Sequence, residues 1–186
     1  MSEEKVLTKE IAEQFLADAD SVGLSEFTAI ADDAAESLSK HEGRSLRLDG
    51  LTQLSPAASQ GLSKFHGSLE FYSLKELSDA AAESLGQHQG RSLRLNCLTE
   101  LSDAAAKSLS GAQASSLFLS GLPQLSDAAA ASLSEFRGRR IDLYGLTELS
   151  DAAAESLSKF EGKNLILNLD NLPESAAQIL RDAGHG

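Results

Sequence analysis

The chain has 186 residues with 16 basic and 28 acidic side chains, and its formal charge of -12 at pH 7 argues against nucleic acid and anionic membrane surfaces as partners. Leu (32), Ala (27) and Ser (27) supply 86 residues, almost half the chain, yet 41% of it is apolar and the leucines are regularly spaced, so the bias signals repetition rather than disorder. A single Cys, three Pro and no Trp exclude a disulfide scaffold, a Pro-rich linker and a paired-cysteine zinc site, and no apolar run approaches the roughly 20 residues that span a bilayer. A reducing, cytoplasmic setting is expected.

Residues 8–18 read as an amphipathic helix with Ile11, Phe15 and Leu16 inward and Glu10, Glu13 and Gln14 outward, which makes 1–19 an N-terminal cap. Residues 20–171 then repeat with a period of 23 or 24, marked by Leu54, Leu77, Leu101, Leu125 and Leu149, with weaker copies at Ile30 and Leu172. Each unit opens on an alternating apolar pair, such as Leu46/Leu48 or Leu93/Leu95, which is the signature of a short strand. Seven strands are expected in one parallel sheet, starting near Val22, Leu46, Leu69, Leu93, Leu117, Ile141 and Leu165.

The second half of the unit reads S-D-A-A-A-x-S-L. Ser78, Ser102, Ser126 and Ser150 stand where a helix N-cap belongs, and the following Asp suits the positive end of the helix dipole. Pro56 after Ser55 fits the first helical position equally well. Gly43, Gly67, Gly90, Gly138 and Gly162 close the helical half and suggest left-handed C-terminal turns. The inward helix face is small, as in Ala80–Ala82 and Ala152–Ala154, with Leu85 or Leu157 one turn later. No unit of this size buries its own apolar face, so neighbours must stack to make the core. A last helix from Pro173 to Ala183 makes 172–186 a C-terminal cap and tail, and the sequence reads as a complete domain without a linker.

The motif L-x-L-x-G-L-T-x-L-S-D-A-A-A-x-S-L resembles bacterial leucine-rich-repeat proteins with short units, over roughly residues 20–183. The resemblance implies an α/β leucine-rich-repeat solenoid, a horseshoe with a parallel sheet on one face and short helices on the other. The chain departs from the family pattern at the position commonly held by Asn or Cys, which carries Leu51, Leu74, Leu98, Leu122 and Leu146.

Catalytic signatures are missing: the sequence has no phosphate loop, nucleophile elbow or paired-Cys motif, so no enzyme activity, cofactor or metal is expected. His41 and His88 share a repeat column with Phe65, Ala112, Phe136 and Phe160, and the simplest reading is that they replace Phe at the rim of the core. A His41/His66/His88 metal site would need side chains starting ~10 Å apart to converge, since adjacent strands lie ~4.8 Å apart. Cys97 falls in a column of small residues, Gly50, Ser73, Gly121 and Gly145, and reads as a small filler.

The outward strand positions vary most. Between the strand leucines run Gly23, Arg47, Glu70, Arg94, Phe118, Asp142 and Ile166, followed two residues on by Ser25, Asp49, Tyr72, Asn96, Ser120, Tyr144 and Asn168. Seven of the eight Arg residues lie in or just before strands, while acidic residues crowd the helices. Tyr, Phe and Arg are enriched at binding hot spots, so a noncatalytic scaffold is expected that binds a protein or peptide through Arg47, Tyr72, Arg94, Phe118, Asp142 and Tyr144 on the concave sheet. The alternative is structural self-association. The last strand, with Leu165, Ile166 and Leu167 and no charge from 164 to 169, suggests a monomer or a weak edge-paired homodimer.

Overall fold

The structure is a computed structural model that describes residues 4–185; residues 1–3 of the expected cap and residue 186 of the expected tail lie outside the described residues. Its elements alternate along the chain. The first part runs β1 (Val6–Leu7), α1 (Lys9–Ala17), a 3₁₀ turn at Leu24–Glu26, β2 (Ala29–Ile30) and α2 (Asp32–Leu38). Then come β3 (Ser45–Arg47), α3 (Pro56–Ser63), β4 (Ser68–Glu70), α4 (Asp79–Leu85), β5 (Ser92–Arg94) and α5 (Asp103–Ser110). The chain continues through β6 (Ser116–Phe118), α6 (Asp127–Ser134), β7 (Arg140–Asp142), α7 (Asp151–Leu157), β8 (Asn164–Ile166), a second 3₁₀ turn at Leu169–Asn171, and α8 (Glu174–Asp182).

Six strands, β3 to β8, form one parallel sheet in chain order, and the repeat sets their register: Leu46, Leu69, Leu93, Leu117, Ile141 and Leu165 lie side by side. Helices α1 to α8 stack in the same order, each against its successor. The core between the two layers is built from the strand leucines, the turn leucines Leu51, Leu74, Leu98, Leu122 and Leu146, and the helix Ala and Leu residues, nearly all fully buried. Each such leucine contributes on the order of 1.5–3 kcal/mol through burial. In each Ala triplet the first residue is exposed: Ala80 and Ala152 face solvent, and Ala81, Ala82, Ala153 and Ala154 form the buried face.

The expected strand at Val22 does not form. That stretch contains the 3₁₀ turn instead, so the main sheet has six strands and not seven. The first unit pairs elsewhere, through β1 and β2, where Val6 faces Ala29 and Leu7 faces Ile30 in parallel. Leu7 lies 23 residues before Ile30 and precedes α1 as Ile30 precedes α2, which makes α1 a repeat helix whose buried Ala12 matches Ala35.

The serine caps form as the motif requires. Ser55, Ser78, Ser102, Ser126 and Ser150 accept hydrogen bonds from the amides of Ala58, Ala81, Ala105, Ala129 and Ala153. Four of these hydroxyls also donate to the Asp at the start of the preceding helix, Ser55 to Asp32, Ser102 to Asp79, Ser126 to Asp103 and Ser150 to Asp127. This Ser–Asp ladder stitches neighbouring units at their helix starts. It skips Ser78, because Pro56 stands where the acceptor would be.

The glycines do not adopt the left-handed turns expected of them, since only Gly184 among the described residues has positive φ, at 86°. Their role is space. A Cβ on Gly138 would lie 2.3 Å from the Phe136 ring and 2.6 Å from the Ala114 carbonyl oxygen, and one on Gly67 would lie 2.4 Å from the Phe65 ring. The aromatic ring two residues earlier lies over each of these glycines.

Candidate functional site

The face of the sheet opposite the helices carries three rows of side chains, because alternate strand residues point away from the core. The middle row follows the register: Arg47 opposite Glu70, Glu70 opposite Arg94, Arg94 opposite Phe118, Phe118 opposite Asp142, and Asp142 opposite Ile166. The first row is serine in four strands, Ser45, Ser68, Ser92 and Ser116, and then becomes Arg140. The third row includes Asp49, Tyr72, Asn96, Ser120 and Tyr144 just beyond the strands.

Phe118 is the centre of this face. The Arg94 guanidinium carbon lies 4.0 Å from its ring centroid and that of Arg140 lies 5.0 Å away. Such cation–π contacts contribute roughly 0.5–2 kcal/mol and hold otherwise mobile side chains in place. Arg140 donates to Asp142 at 2.9 Å, and the same carboxylate accepts from the Tyr144 amide at 3.2 Å. Asp142 is thereby only 9% exposed, its carboxylate committed within the chain. Arg47 makes the equivalent bond to Asp49 two residues on, at 2.8 Å. Glu70 lies between Tyr72, whose hydroxyl donates to it at 3.4 Å, and Arg94, whose Nε is 3.8 Å away.

Of the six side chains expected to meet a partner, Tyr144 (56% exposed) and Tyr72 (39%) project furthest, Arg47 is exposed, Arg94 and Phe118 are half-buried against each other, and Asp142 orients its neighbours. Arg94, Phe118, Asp142 and Tyr144 form one connected group through Arg140. Arg47 lies apart, beside a cleft of about 330 Å³ lined by Phe15, Leu24, Ser25, Ser45 and Asp49 at the β3 edge. Glu70, Asn96 and Arg140 also belong to the face and were not singled out in the sequence. Arg140 was detectable there as the one charge in a serine column, whereas the roles of Glu70 and Asn96 depend on cross-strand distances.

The histidines separate. His88 is fully buried, with Nδ1 at 3.3 Å from the Ser63 carbonyl oxygen and Nε2 without a partner, and its pKa is lowered by burial. His41 packs between Phe15 and Phe65, with ring centroids at 5.1 and 6.0 Å, and His66 is exposed. No group of three or more His, Cys, Asp or Glu residues suited to a metal ion occurs among the described residues. Cys97 is half-buried and its thiol donates to the Tyr72 carbonyl at 2.9 Å. No described helix is long and apolar enough to cross a membrane. No family model matches the chain, and no curated protein matches its sequence.

Proposed function

We propose that the chain is a leucine-rich-repeat solenoid acting as a noncatalytic cytoplasmic scaffold, which binds a protein or peptide across the concave face of its sheet. One observation carries this reading. Two of the three large apolar side chains that stand exposed among the described residues, Tyr72 and Tyr144, lie on the open sheet face, flanking the Arg94–Phe118–Arg140 stack. The core accounts for the repeated leucines and alanines but gives no reason for aromatic and arginine side chains here, whereas a binding surface does. The face's charges are balanced within it, so binding is selective and not driven by bulk charge.

The test is the combined Tyr72→Ala, Arg94→Ala, Phe118→Ala variant, compared with the wild type in affinity capture from the native host. The variant keeps its fold by circular dichroism and loses the partner that the wild type captures. Retention of that partner at full affinity overturns the reading. A second reading, weak self-association, is favoured by the last strand. The Asn164 amide donates to Arg139 and the Ile166 carbonyl accepts from Leu143, so the intervening Leu165 turns its own backbone groups outward.

A further inference from the structure

The three arginines on the open face follow one rule with one exception. Arg47 and Arg140 each donate to an aspartate two residues on, Asp49 and Asp142. The residue two beyond Arg94 is Asn96, an amide that offers no charge. The Arg94 side chain makes no hydrogen bond to any described residue; its Nε is covered and reaches only a long ion pair, 3.8 Å, with Glu70, which also accepts from Tyr72. The guanidinium is nevertheless held 4.0 Å over the Phe118 ring. Beside it, Asn96 Oδ1 accepts from the Ser120 hydroxyl at 3.0 Å, which leaves the amide NH₂ as a donor.

A fixed guanidinium and an oriented amide therefore offer hydrogen-bond donors on one patch, and the hydrogen-bonded carboxylate two residues on that completes the other two arginines is absent from the third, whose charge is met only by the longer ion pair with Glu70. The geometry points to a carboxylate site at Arg94 and Asn96, whose ligand is an Asp or Glu side chain of an acidic peptide segment. An arginine fork and a carboxylate are matched in charge and shape. This inference rests on the open face being the binding face and names the chemistry read there.

Sodium acetate serves as the minimal probe, titrated against ¹⁵N-labelled protein at constant ionic strength set with sodium chloride. The Arg94 Nε–H and Asn96 side-chain NH₂ resonances shift saturably, and those of Arg47 and Arg140 do not. Arg94→Gln abolishes the saturable shift at Asn96. Asn96→Asp supplies the missing internal carboxylate, so it also abolishes acetate binding at Arg94 while the backbone spectrum stays native. Equal shifts at all three arginines, no shift at Arg94, or undiminished binding in Asn96→Asp overturns the site. A saturable acetate site in a protein whose captured partner ignores the open-face substitutions keeps this site and sinks the wider reading instead.

Discussion

Each ring in the column at the helix end lies over the glycine two residues on, as in Phe65/Gly67, His88/Gly90, Phe136/Gly138 and Phe160/Gly162. The fifth unit replaces both members together, with Ala112 for the ring and Ala114 for the glycine, and borders a cleft of about 780 Å³ with Lys107, Gln113, Glu135 and Arg137. Steric coupling of this kind is testable by a double-mutant cycle. Gly138→Ala costs roughly 1–3 kcal/mol by overpacking. Ala112→Phe is destabilising alone, and Ala112→Phe with Ala114→Gly recovers most of that loss in urea denaturation; strict additivity of the two changes would contradict the coupling. At His88 the buried ring resists protonation, so its pKa in the folded state lies below the ordinary 6.5. The unfolded chain then binds more protons than the folded one between those two values, and stability rises with pH across that window and is lost as pH falls through it. His88→Phe flattens this slope when urea midpoints are compared at pH 5 and pH 7.5; an unchanged slope would assign it to other groups.

The short helices depend on their caps, since seven to nine residues are too few to be stable on propensity alone. A cap serine that also reaches the preceding Asp links two units, and one that caps only its own helix does not. Ser126→Ala therefore costs more than Ser78→Ala, by about 0.5–1 kcal/mol, the net value of one hydrogen bond. Equal losses in thermal melts would show that the Ser126–Asp103 bond adds nothing. The cap positions were legible in the sequence because Ser, Asp and Pro each have a positional chemistry at helix starts. The ladder was not, since it depends on a contact 23 residues away. The first strand was misplaced for a related reason: Val22 and Leu24 alternate like the other strand pairs, but Gly23 lies between them and the segment turns as 3₁₀. Strand formation was instead carried by Val6–Leu7, too short to show a period of its own.

Across the whole molecule each helix and each sheet strand packs chiefly against the next in chain order, so the sheet ends in a strand, β8, with one side unpaired. A two-fold pairing centred on Leu165 would let its amide and carbonyl bond to the same groups of a second copy, with Leu167 adjoining and Ile166 on the open face. Light scattering across a concentration series then shows a weak dimer that Ile166→Lys abolishes; a concentration-independent monomer, or a dimer indifferent to the lysine, rules edge pairing out. The repeat, the parallel order and the apolar core were legible because periodicity alone dictates them. The open face was legible as a set of variable positions, but not as a network, because Arg94 and Arg140 meet the Phe118 ring only once the strands lie in register. The central claim, that this face is where a partner binds, is tested most directly by an amide hydrogen-exchange footprint of the protein with its captured partner. Protection concentrated on β4 to β7 and the turns carrying Tyr72 and Tyr144 is the predicted result, and protection confined to the outer faces of α2 to α7 would contradict it.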